Sequence, residues 1–167
     1  MSAVPTSEPA KRLDFDAVTH TYRIGGVRVP SVTQVCKVAS GNEYAQIPRD
    51  VLERKRAIGV ALHYAIWLDN LGELDTDTID QAVAPYFAAW KEFVARTGFE
   101  TRIGECQLGS QRFGYAGTSD LYGLTYGAPW LIDVKSVAVL SPVTAIQTAA
   151  YLELLKENGL AHVGSHR

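Results

Sequence analysis

In the run Trp130-Leu131-Ile132-Asp133-Val134-Lys135-Ser136 a carboxylate and an ammonium stand two positions apart. The run predicts a buried strand. Alternate side chains of a strand share a face, so Asp133 and Lys135 emerge together while Ile132 and Val134 point the other way. Taking both charges out of water is costly unless they pair or serve a metal, which points to chemistry. A second acid, Asp120, follows Gly117-Thr118-Ser119, and Gly123, Gly127 and Pro129 predict a turn between the two runs. Paired as a meander, the strands set Asp120 and Asp133 facing each other within reach of one hard divalent cation. Carboxylate, carbonyl and water oxygens suit magnesium or manganese. Lys135 would then orient a water or stabilise charge building on a phosphate. Alone, an Asp-x-Lys spacing also describes a solvated strand face or a surface ion pair.

The elements that position these groups are helical. Ser141-Pro142 and Asn158-Gly159 mark the start and stop of a helix on which Gln147 and Tyr151 lie one turn apart. Ala149, Ala150, Leu152 and Leu154 are its expected docking residues. Tyr151 also fits a ring packed at the core edge. Upstream, Pro48 to Leu71 carries Leu52, Ile58, Leu62, Ile66 and Trp67 at amphipathic spacing, with Gly59 and His63 one turn apart. A helical glycine costs roughly 1 kcal/mol relative to alanine, so a close approach by the sheet or a nucleic-acid strand is expected at Gly59. Taken singly, His63 also reads as a satisfied histidine at the core edge.

These segments together resemble the PD-(D/E)XK nuclease superfamily, specifically its RecB-like exonuclease branch of phages and bacteria. The resemblance is carried by Gly117-Thr118-Ser119-Asp120, Ile132-Asp133-Val134-Lys135-Ser136, Gln147-Thr148-Ala149-Ala150-Tyr151 and the Gly59 to His63 spacing within Ala57 to His63. His20-Thr21-Tyr22 and Val29 to Thr33 are similar to the amino-terminal part of the phage members. The resemblance implies that Asp120, Asp133 and the Val134 backbone carbonyl hold the metal, with His63 approaching from its helix. It implies a catalytic role for Lys135, a DNA-holding or site-supporting role for Gln147 and Tyr151, and a second-metal or supporting role for Glu105. It also implies a restriction-endonuclease-like α/β fold, a central mixed β-sheet flanked by helices. In that fold the last helix leads to one or two further strands. Only Leu160 to Arg167 follow Gly159, so a shortened carboxy-terminal end is expected.

The formal net charge of -2 and pI near 6.1 lack the basic excess of many nucleic-acid binders. A local positive track suffices for phosphate attraction, and Arg54, Lys55 and Arg56, with Arg49, concentrate at the entry to the His63 helix. The same run also fits a solvated helix face.

With 167 residues, 47% of them hydrophobic, the chain can bury one sizeable core, giving a single domain over 12–167 after a loose tail over 1–11. Cys36 and Cys106 form no CxxC pair, so neither zinc nor an iron-sulfur cluster is indicated. No apolar run approaches the roughly 18 residues that span a bilayer, and Met1 to Ala10 lacks a signal-peptide core, so no membrane association is expected. A cytoplasmic setting, in a bacterium or a phage-infected host, is the expectation.

Gly25-Gly26 predicts a hairpin between 21–24 and 27–29, and Ser31 a helix cap. Thr78 with Gln81 resembles a capping box, and Pro85 predicts a break at Ala84. Tyr86, Phe87, Trp90, Phe93 and Val94 form a helical core stripe ending at Gly98. Strands are expected over 99–108, 114–123 and 130–137.

The functional expectation is a magnesium- or manganese-dependent deoxyribonuclease, favouring exonuclease action, in DNA recombination, repair or phage DNA processing. The rival is a catalytically weak DNA-binding or assembly module of the same fold. Its partners would be a helicase or a single-strand annealing or recombination protein.

Overall fold

The computed structural model describes residues 12–40, 47–137 and 139–160; the expected tail over 1–11 and the stretch 161–167 lie outside them. The architecture is α/β. An amino-terminal ribbon pairs β1 (Leu13–Asp16), β2 (Thr21–Ile24) and β3 (Val27–Val29) in antiparallel order. Gly25 and Gly26 adopt φ of 57° and 80°, the left-handed pair that a two-residue hairpin turn requires. The strand β1 was not expected; Phe15 stacks on Tyr22 across it, with ring centroids 4.6 Å apart.

Ser31 opens α1 (Val32–Ser40) with a reciprocal cap. Its hydroxyl accepts from the Gln34 amide at 3.2 Å, and the Gln34 side chain accepts from the Ser31 amide at 2.9 Å. The long helix α2 (Arg49–Leu71) begins after Pro48 and ends at Gly72 in a left-handed cap. A 3-10 turn (Thr76–Thr78) capped by Asp75 replaces the expected Thr78–Gln81 box. Asp80 receives the Ala82 amide on its side chain and the Val83 and Ala84 amides on its carbonyl, so α3 (Ala84–Thr97) starts there. Pro85 therefore sits in the first helical turn, where its missing N–H costs nothing, and breaks no helix.

The second sheet is a meander of β4 (Glu100–Ser110), β5 (Tyr115–Thr125) and β6 (Ala128–Ile132), antiparallel throughout. Among the described residues both sheets are antiparallel, and the parallel pairing of the expected mixed sheet is a single bridge, Ser31 to Ala116, joining the ribbon to β5. The β5–β6 turn is Tyr126-Gly127, at φ 48° and 80°. Gly123 and Pro129 were assigned to that turn and instead lie within the strands, where a Cβ on Gly123 would run into the Glu100 carbonyl. The third strand stops at Ile132 and does not continue to Val137.

One face of this sheet packs on α2 and α3 through Leu62, Ile66, Phe87, Trp90, Phe99 and Leu121. The other packs on α1 and on α4 (Pro142–Glu157) through Val32, Cys36, Leu108, Tyr151, Leu154 and Leu155. Ala149 and Leu152 face outward, contrary to expectation, because the buried stripe of α4 runs 151, 154, 155. Trp67 is likewise not a core residue. Glu157 seats the end of α4, accepting from the Ser110 hydroxyl at 2.5 Å and from the Gln111 and Arg112 amides at 2.8 and 3.2 Å. Cys36 and Cys106 are both free thiols.

Candidate metal centre

The meander does not alternate uniformly. Leu108 belongs to the α1/α4 core and Cys106 packs against it, whereas Gly104 pairs with Leu121, which faces α2 and α3. Residues two apart on a regular strand share a face, so the sheet changes hands between them. Glu105 makes the change, with φ of 47° in the left-handed region. On β5 the partner strand does the same. Gly117 lies against Val32 and Tyr151, while Leu121 and Gly123 lie in the opposite core. Asp120 stands at this switch and so reaches groups from both layers.

From α2, partly buried His63 presents Nδ1 to Asp120 Oδ1 at 3.7 Å. Its Nε2 lies 3.2 Å from the Val134 carbonyl oxygen, which can only accept, so Nε2 carries the proton in that bond. Asp120 Oδ2 accepts the Val134 amide at 2.8 Å. This side-chain bond replaces strand pairing beyond Ile132 and explains why β6 ends there. Asp133 and Lys135 meet as expected, though in a segment that follows the strand and belongs to no regular element. The Asp133 carboxylate is 6% exposed and Lys135 Nζ lies 2.9 Å from its Oδ2. The approach is an ion pair out of line for a hydrogen bond, and Oδ2 accepts none. Burial pushes the Asp120 carboxyl above the usual range, His63 draws it down, and the Asp133 charge raises it further.

Burial raises the Tyr151 phenol well above its ordinary range, neighbouring Gln147 draws it down, and the charges of Asp120 and Asp133 add to the shift. Tyr151 is thus both a core ring and a neighbour of both acids. Glu105 is exposed and lines a cavity of about 550 Å³ together with His63, Asp120, Val134 and Arg102. Arg54, Lys55 and Arg56 are exposed on the first turns of α2; only Arg56, two turns before His63, lies on the His63 stripe. Gly59 meets nothing closer than the Ser136 hydroxyl, 3.5 Å from where a Cβ would be, so no tight approach accounts for it.

Among the described residues no three His, Cys, Asp or Glu side chains close on one point. His63 and Asp120 face each other, Asp120 feels the charge of Asp133, which is paired with Lys135, and the Val134 carbonyl is engaged by His63. The residues nevertheless fit a divalent cation. A histidine that binds metal commonly gives its other N–H to a backbone carbonyl, as His63 does to Val134. That leaves Nδ1 as an acceptor aimed at a carboxylate oxygen 3.7 Å away, a gap that two bonds of about 2.1 Å can span. The buried Asp133 Oδ2 has no hydrogen-bond donor and lies close enough to raise the Asp120 carboxyl.

Trp67 has the spacing of the apolar stripe of α2, yet it and Tyr64 are exposed beside this centre. Among the described residues no helix is long and apolar enough to cross a membrane. Comparison of the chain with protein-family models and with curated proteins returns no match.

Proposed function

We propose that this chain is a magnesium- or manganese-dependent DNA nuclease of restriction-endonuclease-like fold, hydrolysing phosphodiester bonds, with exonuclease action favoured. The observation that carries the reading is the Val134 peptide. Its carbonyl orients His63 and its amide orients Asp120, so that two ligand atoms face each other directly beside the Asp133–Lys135 pair.

His63, Asp120 and Asp133 would hold the ion, and small rotation of the Asp133 carboxylate away from Lys135 frees an oxygen for it. When bound, the ion lowers the pKa of a water and polarises the scissile phosphate. Lys135 orients the attacking water and counters the charge gathering on the phosphoryl oxygens. The water oxygen bonds to phosphorus and gives up a proton to solvent as the bond to the leaving sugar oxygen breaks, and the leaving oxygen takes up a proton from solvent. Tyr151, buried beside both acids with Gln147 one turn before it on α4, supports that wall of the site.

The test is incubation of linear duplex, closed circular and single-stranded DNA with Mg2+, Mn2+ or chelator. Metal-dependent loss of linear DNA is expected, and Asp133→Ala should abolish it. Parental cleavage rates in Asp133→Ala would overturn the assignment. The non-cutting module is favoured by one observation, the absence of a three-side-chain ligand cluster among the described residues; failure to cut any DNA in either metal would select it.

A further inference from the structure

Val60, Tyr64, Trp67 and Leu71 follow one another on α2 at spacings of four, three and four, and all are exposed. Soluble helices ordinarily bury such a stripe. Here the rings of Tyr64 and Trp67, 59% and 43% exposed, lie nearly parallel, with centroids 5.7 Å apart and planes at 23°. They wall a groove of about 490 Å³ completed by Gly59, Val60, His63 and Glu105. His63, Trp67 and Glu105 also line the cavity that holds Asp120, so the groove opens directly onto the candidate centre. At its other end Arg56 borders a continuation of the groove with Val60, Tyr64 and Glu53, whose carboxylate is paired with Arg49. Arg56 to Trp67 spans about 16 Å of helix. The order along it is a guanidinium, a stacked aromatic pair, then the acid-histidine site.

A positive group that tracks a phosphate, aromatic rings that take a base, and an adjoining hydrolytic centre are the parts of a single-strand binding channel. Bases inside a duplex already have both faces covered and cannot lie on a side-chain ring; an unpaired base can. We propose that the Tyr64–Trp67 face receives an unpaired nucleotide of a DNA strand and so directs the enzyme to single-stranded or frayed ends. This rests on reading the adjoining centre as a DNA phosphodiesterase site, since it is that site which orients the strand. An aliphatic protein partner would leave Arg56 without a complement, whereas a strand offers it a phosphate and offers the rings a base, so nucleic acid is the better occupant.

The test measures fluorescence anisotropy of labelled oligothymidylate and of a labelled blunt hairpin duplex in chelator, where nothing is cut. Trp67→Ala and Tyr64→Ala should each weaken single-strand binding about 5- to 150-fold, the range for loss of one base–aromatic stack, while duplex binding changes less than about twofold. Trp67→Phe should restore most of the loss, which separates stacking from a folding defect, and far-UV circular dichroism should match the parent. Unchanged single-strand affinity in Trp67→Ala, equal losses for both DNAs, or no single-strand binding by the parent would each overturn the proposal. Ring-dependent binding without cleavage in Mn2+ would sink the nuclease reading alone. Cleavage in Mn2+ with ring-independent binding would sink this inference alone.

Discussion

His63 Nδ1 faces Asp120 Oδ1 across 3.7 Å, and each side chain is tied by its remaining polar atom to the backbone of Val134. Neither can swing away without breaking a hydrogen bond. A cation entering between them meets ligands already in place. Mn2+ at 100 times its dissociation constant should stabilise the protein by about 2.7 kcal/mol. The gain is read as a rise in melting temperature and should vanish in His63→Ala. An identical rise in parent and variant would place the ion elsewhere.

Asp120 also carries a pH signature. Burial raises its carboxyl above the ordinary range in the folded state. Stability from such a group is fully present below the unfolded-state pKa and is lost as pH rises through the folded one. Asp120→Asn keeps an oxygen for the Val134 amide and removes the buried charge. In chelator, its melting temperature should exceed the parent's by a margin that widens as pH rises above the unfolded carboxyl pKa of about 4. A constant margin would show that the charge is not the cause.

Removing Lys135 and removing Asp133 are unequal changes. Asp133 is 6% exposed and Lys135 30%, so Lys135→Ala strands a carboxylate that water reaches poorly. Lys135→Ala should cost roughly 3 kcal/mol by urea unfolding, and Asp133→Ala in the same background should recover part of it. Additive effects would mean the two charges do not interact.

Three glycine exchanges have predictable signs. A Cβ at Gly117 would stand 2.8 Å from the Tyr151 ring and 2.9 Å from Val32, so Gly117→Ala should destabilise by about 1–3 kcal/mol and slow cleavage by displacing Tyr151. Gly59→Ala has room and should stabilise by about 1 kcal/mol through helix propensity. Glu105→Gly, relieving φ of 47°, should stabilise by about 1 kcal/mol while lowering cleavage. The denaturant midpoint measures all three.

The hairpin at Gly25-Gly26, the start of α2 after Pro48 and both ends of α4 were legible because turn and cap residues announce themselves. The face change at Glu105 and Asp120 was not. Strand reasoning assumes a period of two, and a glutamate gives no sign of a left-handed backbone. Asp133 pairs with Lys135 even though the strand ends before both. Trp67 misled for another reason: spacing defines a stripe, but whether a neighbour covers it is decided by where the sheet and α3 lie.

The amino-terminal ribbon grips the meander through the Tyr22 hydroxyl on Thr118, 96 positions away, and through the Pro30 carbonyl on the Ala116 amide. Closing so long a loop is slow unless its far end already exists. The ribbon's partners on β5 are made long after it, so a nascent chain holds Val32 and Tyr22 without their covering until the second half emerges from the ribosome.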